Sequence, residues 1–352
     1  MPPTPIDLRS DTVTRPTKEM RAVMAEAEVG DDVFDEDPTV HRLQNRVAEL
    51  LGTEAALFVP SGTMANQICV RVHTRPGDEL ICETTSHVYV WEAGGPAALS
   101  GVTTRPVDGD YGVLDVEQLA EKVRPNSEHY ARSRLIVLEN THNRGGGRVY
   151  PLETCRSVTA WARQNGLTTH LDGARLWNAH VATGIPLVDW CGPFDSVTVA
   201  FSKGLGAPVG SAVAGTRDFV GRARRVRKLL GGHMRQVGIL AAGALYAMEN
   251  HVGRLAEDHR NARLIAAAIR DTPGLRLDPP DVETNLVWFE VGRELAAAPA
   301  LAARLRERGV LVHVAGPTTL RACTHLDVSA AQAEYAAEVI RTNCRMPITM
   351  PH

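Results

Sequence analysis

Thr168-Thr-His-Leu-Asp-Gly-Ala-Arg175 and Ser196-Val-Thr-Val-Ala-Phe-Ser-Lys-Gly-Leu-Gly206 decide the reading of this chain. Each begins as an apolar, β-rich run of the kind found inside a buried sheet, and each ends in a charged residue followed by glycine. As strands of one parallel sheet, the two runs bring Asp172 and Lys203 to the same carboxyl edge, where ligands bind in open α/β folds. A lysine there, followed by a flexible turn, is placed to be partly desolvated and nucleophilic, although many strands simply end in an exposed lysine. Asp172 is equally suited to cap a following helix. The two residues carry meaning as a pair rather than singly.

The same alternation extends outward from them. Short runs rich in Val, Ile and Leu predict strands at Ala55–Pro60, Glu79–Glu83, Val102–Val107, Arg134–Glu139, Leu167–Asp172 and Ser196–Ser202. Helical periodicity predicts Val40–Leu51, Met64–Val72, Val116–Val123, Glu153–Gln164 and a single turn at Leu187–Cys191. This is the signature of βαβ units, so the expected fold class is α/β with a mostly parallel sheet. Residues 1–40, with Pro2, Pro3, Pro5 and Pro16 and the acidic stretch GDDVFDEDPT, read as an arm and a first helix, Lys18–Ala27. Residues 41–250 form the large unit, which closes with the Ala-rich pattern His233–Asn250. Residues 251–352 form a smaller α+β unit: helix Leu255–Arg270, strand Asn285–Val291, helix Arg293–Glu307, strands Val310–Val314 and Leu320–Cys323, and helix Ala330–Arg341.

Composition removes several classes of function. At 352 residues and about 150 residues per domain, two domains are expected, long enough to bury a core without disulfides or metals. With 44% hydrophobic and 22% charged residues the chain belongs with globular rather than disordered proteins. Lys+Arg at 38 against Asp+Glu at 41 leaves a net charge of −3, which gives nucleic acid no electrostatic warrant as a partner. The most basic stretch, Arg217–Arg235, holds Arg222, Arg224, Arg225, Arg227, Lys228 and Arg235 and reads as a local anion site or as a solvated helix face. The six cysteines lie far apart without a CxxC, as in a reduced cytosolic protein. There is no signal-peptide pattern and no apolar run long enough to span a bilayer, so a cytoplasmic location and no membrane partner are expected. The histidines form neither HxH nor HxxxH, and no metal is predicted.

One cofactor uses a lysine and an acid together. Pyridoxal 5′-phosphate (PLP) needs a lysine for a Schiff base and an acid that keeps its pyridine nitrogen protonated, so that the ring acts as an electron sink. Its phosphate needs a cradle, and Val59-Pro-Ser-Gly-Thr-Met-Ala-Asn66 supplies one. A strand ends there, Gly62 permits close backbone approach, and a helix begins with its free N–H groups pointing outward. By itself Ser-Gly-Thr is also an ordinary helix start.

With these residues in place the chain resembles the threonine aldolase family of fold-type I PLP enzymes along almost its whole length. The matching motifs run in order: IDLRSDTVTRP (6–16), VGDDVFDEDPTV (29–40), PSGTMAN (60–66), SHVYVWEAGG (86–95), LENTHNRGGGRVYP (138–151), HLDGARLWNA (170–179), FSKGLGAPVGS (201–211), GGHMRQVGILAA (231–242) and RACTHLDVS (321–329). The resemblance implies an aspartate aminotransferase-like large domain with a smaller C-terminal one. It implies that Lys203 binds the cofactor, that Asp172 pairs with the ring nitrogen, and that Arg175 approaches the ring oxygen. Gly62 and Thr63 would hold the phosphate, joined by Arg235 of a neighbouring subunit, with Lys228 adding to the field. His87 would stack on the ring near the substrate hydroxyl and His129 would be a second histidine near it, although each reads alone as a packing or loop residue. Ser10 and Arg321 would take the substrate carboxylate, a bidentate geometry that suits a guanidinium. The implied reaction is reversible retro-aldol cleavage of L-threonine, L-allo-threonine and related L-3-hydroxy amino acids to glycine and an aldehyde, in a homotetramer whose active sites are shared across subunits. A related carbon–carbon lyase or transaldolase specific for a larger substrate such as phenylserine is the alternative. One departure is Phe34, where the family often has tyrosine.

Overall fold

The computed structural model describes residues 5–293, 295 and 297–343. Seven strands form the larger sheet: β2 (Ala55–Val59), β3 (Asp78–Glu83), β4 (Thr103–Val107), β5 (Arg132–Glu139), β6 (Thr168–Gly173), β7 (Ser196–Ala200) and β8 (Ser211–Gly215), in spatial order β2-β8-β7-β6-β5-β3-β4. Six run in one direction and β8 is reversed, pairing antiparallel with both β2 and β7. Every residue of β7 is buried, as is every residue of β6 after Thr168, because helices cover both faces of the sheet. One face packs Leu138, Leu171 and Val197 against Leu43, Val47, Trp177 and Trp190. The other packs Leu57, Val59 and Val213 against Ile68 and Cys69.

The helices end where their chemistry says they should. In Pro38–Leu51 the Asp37 carboxylate accepts from the Thr39 and Val40 N–H groups at 3.1 and 3.0 Å, and Pro38 opens the first turn. Val40, Leu43, Val47 and Leu51 form the buried stripe, and Gly52, at φ 65°, closes the helix in the left-handed region.

A second sheet has the order β1-β11-β12-β10-β9, built from β1 (Ile6–Leu8), β9 (Leu275–Leu277), β10 (Leu286–Val291), β11 (Val310–Val314) and β12 (Thr319–Cys323). β1 belongs to the N-terminal arm and pairs parallel with β11, so Ile6 and Leu8 enter the core formed by Ile265, Phe289, Leu301 and Leu320. The arm therefore runs from this sheet past the edge of the larger one.

The structure differs from the sequence reading in identifiable places. β8 escapes it because Ser211-Ala-Val-Ala-Gly215 is short, built of small residues and continuous with a glycine-rich turn. The Ala-rich helix begins at Gly238 rather than His233, and the basic stretch forms its own helix, Arg217–Leu229. The helix expected from Arg293 begins at Ala298, with residues 294 and 296 outside the described set. The five cysteines described are free and buried; Cys344 lies outside the described residues. Among the described residues no helix is long and apolar enough to cross a membrane.

Candidate active site

β5, β6 and β7 end side by side and release Glu139, Asp172 and Lys203 at one edge of the sheet. The small sheet faces that edge, and between them lies a cavity of about 640 Å³ lined by Ser10, His87, Asp172, Arg175, Lys203 and Arg321, among others. This volume is within the range of small-molecule sites. Six of the ten site residues expected from the sequence thus come together from segments spread between positions 10 and 321.

The electrostatics of the cavity rest on buried pairs. The Arg175 guanidinium donates from Nε and Nη2 to Asp11 at 2.6 and 2.7 Å, and the Asn285 amide donates to the same carboxylate at 3.2 Å. Burial works against the charge on Asp11, but Arg175 and Lys203 outweigh it and hold the carboxyl well below its usual range. Burial, and then the positive charge of Arg175, push the Lys203 amine below its ordinary pKa, while Asp11, Asp172 and Glu139 oppose that shift. An amine so placed reaches its nucleophilic form at lower pH than a solvated lysine.

Asp172 is nearly inaccessible, and its two oxygens have separate partners. Oδ1 accepts from the Ala174 N–H at 3.1 Å and Oδ2 from the Asn66 side chain at 2.7 Å. Burial favours its neutral form, yet His87, Lys203 and the Asn66 donor keep the carboxyl ionised to lower pH than usual.

Asn66, on the helix Gly62–His73, joins this acid to a second one. Its Nδ2 also donates to Glu92 Oε1 at 2.7 Å, and that oxygen lies 2.8 Å from His87 Nδ1. Because both amide N–H groups point at carboxylates, Oδ1 must accept, from Thr198 Oγ1 at 3.1 Å and His170 Nε2 at 3.2 Å. Burial lowers the His170 pKa to about 4, so the ring is neutral, carries its proton on Nε2 and turns the Nδ1 lone pair to Ser196 Oγ at 2.9 Å. Every polar atom of the buried Asn66 side chain is satisfied.

His87 opens the short helix His87–Val90. Its backbone N–H donates to Glu139 at 2.7 Å and its ring to Glu92, whose other oxygen accepts from Gln67 at 2.6 Å. Burial opposes protonation of His87, but the Glu92 contact and the charges of Asp172 and Glu139 raise its pKa above the ordinary value. With Nδ1–H fixed on Glu92, Nε2 carries the lone pair of the neutral ring. Ligand atoms of His87, Glu92 and Asp172 lie within 4.8 Å of one another. Asn66 and His87 already occupy the facing carboxylate lone pairs, so this cluster is a hydrogen-bond network.

The remaining expected residues are placed differently. Gly62 and Thr63 stand in the first turn of the helix Gly62–His73, whose cap Ser61 accepts from the Met64 N–H at 3.2 Å. A Cβ on Gly62 would meet only Ser211 Oγ, at 3.6 Å, and that buried hydroxyl has no hydrogen-bond partner. Open space beside exposed helix N–H groups and an orphaned hydroxyl fit a phosphate. Arg235 is 59% exposed, pairs with Asp31 at 3.3 Å and does not line the cavity of its own chain. His129, expected as a second histidine at the substrate, stands away from the cavity of its own chain. It follows the helix Val116–Ala120 on a solvent-facing loop, is 79% exposed and lies 3.7 Å from Glu128, so within one chain it does not reach the cavity. Phe34 is exposed in a turn between the first two helices.

Asp11, Asn66, Glu92 and Glu139 were not singled out from the sequence. Each stands inside a motif already noted, but each also has a partner in another motif, Asp11 with Arg175, Asn66 with Asp172 and Glu92, and Glu139 with the His87 N–H, and no local spacing reports those pairings.

The acidic stretch after the first helix meets the basic stretch of Arg217–Arg235 directly. Arg227 and Asp32, both buried, pair at 2.8 Å; Arg224 pairs with Asp35 at 2.7 Å; and the Asp37 carboxylate accepts from the Gly238 N–H at 2.8 Å. Much of the basic stretch is thus neutralised within the chain.

Comparison with known proteins agrees with this geometry. The beta-eliminating lyase family matches residues 7–291. The low specificity L-threonine aldolase of Escherichia coli (strain K12) is 46% identical over 94% of this chain and 97% of its own length. Low-specificity L-threonine aldolase 1 of Arabidopsis thaliana is 42% identical over 94% of each chain. In fold, the Leishmania major threonine aldolase superposes with a TM-score of 0.84 at 21% identity, covering 97% of this chain and 100% of the other. The serine palmitoyltransferase of Sphingomonas wittichii has the same fold, with a TM-score of 0.74 at 19% identity over 97% and 87% of the two chains. With its buried lysine–aspartate pair at the sheet edge and these relatives, the chain belongs to the beta-eliminating lyase family.

Proposed function

We propose that this chain is a PLP-dependent aldehyde-lyase that cleaves L-threonine, L-allo-threonine and related L-3-hydroxy amino acids to glycine and an aldehyde, and that it runs the reverse condensation. The observation that carries the reading is the convergence of Lys203, Asp172 and His87 on one cavity with Arg321 and Ser10 at its outer side. The residues fit the cofactor: Lys203 for its aldehyde carbon, Asp172 for its ring nitrogen, Arg175 near its ring oxygen, and Gly62, Thr63 and Ser211 around its phosphate. When bound, PLP supplies the electron sink that accepts the pair left by the broken Cα–Cβ bond.

The chain's own groups do the rest. Arg321, with Nη1 on Asn143 at 3.1 Å and Nη2 on the Arg9 carbonyl at 2.9 Å, is held in position and with Ser10 takes the substrate α-carboxylate. His87 Nε2 accepts the β-hydroxyl proton, directly or through one water, as the Cα–Cβ bond breaks and the aldehyde leaves. A proton returned to Cα completes glycine. Asp172 stays ionised because Asn66 and the surrounding cations favour its charge, and so holds the ring nitrogen in its protonated form.

We further propose a cytoplasmic homotetramer in which Arg235 serves the phosphate of a neighbouring subunit; its exposure on its own chain supports this. The small amino acid and the aldehyde are the partners, with no nucleic acid or membrane. The test is a visible spectrum of the purified protein with PLP, followed by L-threonine, L-allo-threonine and phenylserine with aldehyde detection. A visible band that shifts with glycine, together with acetaldehyde from L-threonine, is the expected result. A band without aldehyde from any substrate would overturn the reaction, no band would overturn the cofactor, and a band that persists in Lys203→Ala would overturn the lysine.

A further inference from the structure

The cavity holds more positive charge at its outer wall than one carboxylate needs. Trp288 and His313 both stand opposite Arg321 in the register of the small sheet, one on each neighbouring strand, and all three side chains line the cavity. From the larger unit Arg144 reaches the same wall, its guanidinium carbon 4.4 Å from the centre of the Trp288 ring, while that of Arg321 is 5.5 Å from it. Among the described residues Arg144 makes no ion pair and no side-chain hydrogen bond, and Arg321 Nε is buried without a partner. The acids that line the cavity, Asp172 and Glu139, are turned to Asn66 and Ala174 and to the N–H groups of His87 and Asn143. Burial, and then Arg321 and Arg144, push the His313 imidazole below its ordinary pKa, so this wall favours anions over a further cation.

Two guanidinium groups on one tryptophan, with no acid between them among the described residues, form a site for two anionic groups. We propose that Arg144 binds a second carboxylate, so that the cavity takes 3-hydroxy amino acids whose side chain beyond the β-carbon ends in a carboxylate. This rests on the reading that Arg321 and Ser10 take the α-carboxylate, which leaves Arg144 for the other end. Trp288 holds the Arg144 side chain by its face and leaves its N–H groups free to donate in a fork.

The experiment compares acid and amide of nearly the same shape on the holoenzyme. L-Aspartate with L-asparagine, and L-glutamate with L-glutamine, lack the β-hydroxyl and are not cleaved, so calorimetry reads their affinities directly. The wild type is expected to prefer the acid of at least one pair by about tenfold, a charge-assisted fork against a neutral contact. In Arg144→Gln that ratio falls to about one. Because the ratio is taken within each protein, a general loss of affinity cancels. Turnover of L-threo-3-hydroxyaspartate against 3-hydroxyasparagine, read as kcat/KM with glyoxylate or its amide as product, should show the same preference, carried by KM. Equal affinity for acid and amide in both pairs, or an unchanged preference in Arg144→Gln, would overturn the proposal. Acid preference lost in Arg144→Gln without L-threonine cleavage by the wild type would retain the anion site and reject the aldolase reading; cleavage without acid preference would do the reverse.

Discussion

Replacing Glu92 by glutamine tests the chemistry of His87 with little disturbance of the fold. Glu92 Oε1 faces His87 Nδ1 and Asn66 Nδ2, and Oε2 faces Gln67 Nε2. In Glu92→Gln the new amide can keep its oxygen toward His87 and Asn66 only by pointing its NH2 at Gln67. Gln67 can answer by rotating its own amide, because its Oε1 is buried without a partner and would then accept. The shape survives and the negative charge does not. A hydrogen bond to a charged group contributes about 1.5–3 kcal/mol, so the protonated form of His87 loses about that much support. At about 1.4 kcal/mol per pH unit, the His87 pKa should fall by about one to two units. A base must be neutral to accept a proton, and the raised His87 pKa places the acid limb of the wild-type kcat/KM profile above that of an ordinary histidine. The limb should therefore move to lower pH in Glu92→Gln, so that relative activity is retained further into acid. The assay is acetaldehyde release from L-threonine across pH, alongside thermal unfolding to confirm the fold. An acid limb that stays in place in a folded Glu92→Gln protein would refute the assignment of His87 as the proton acceptor set by Glu92.

Three further outcomes follow from the geometry. Gly62→Ala should leave the apoprotein's stability within about 1 kcal/mol, because its Cβ meets only Ser211 Oγ at 3.6 Å. The same substitution should weaken PLP binding by about tenfold or more in equilibrium dialysis, since the methyl group fills the space the phosphate needs. Asn66→Ala removes the group that donates to both Asp172 and Glu92 and strips an acceptor from each of His170 and Thr198; denaturant titration should show a loss of about 2–5 kcal/mol. Arg227→Met leaves Asp32 buried beside an empty partner position and should cost about 3–5 kcal/mol, much of it recovered by adding Asp32→Asn.

What could be read in the sequence depended on how locally each feature is determined. β6 and β7 were legible because a buried parallel strand is an unbroken apolar run, and the residues that end them fall at the sheet edge by geometry alone. Lys203 and Asp172 follow from that. β8 was not legible, because five small residues beside a glycine turn carry no period, and their reversed direction is set by pairing with β2 and β7. The Gly62 cradle was legible as a strand–glycine–helix junction. Asn66, one turn further along the same helix, was not: its partners Asp172 and His170 lie more than a hundred positions away, and only the sheet brings them within reach.

Charge taught the opposite lesson to hydrophobicity. The basic run read alone as an anion site or a solvated helix face and the acidic run as part of an arm, yet Asp32, Asp35 and Asp37 direct their charge to Arg227, to Arg224 and to the Gly238 N–H. A charged stretch has meaning only once its partners are known, and partners far apart in sequence are invisible to composition. The same reasoning separates the two arginines nearest the cavity mouth. Arg321 was matched from its motif and is braced by Asn143 and the Arg9 carbonyl, whereas Arg144 sits in a motif that was noted without assigning it a role. With Asp172 committed to Asn66 and the Ala174 N–H and Glu139 to backbone N–H groups, no acid among the described residues that line the cavity remains for Arg144, and its charge faces the space where a substrate's side chain would lie. Opposite charge is matched at the Asp11–Arg175 and Asp32–Arg227 pairs and left unmatched at this wall, which is where a ligand rather than the fold would supply the counter-charge.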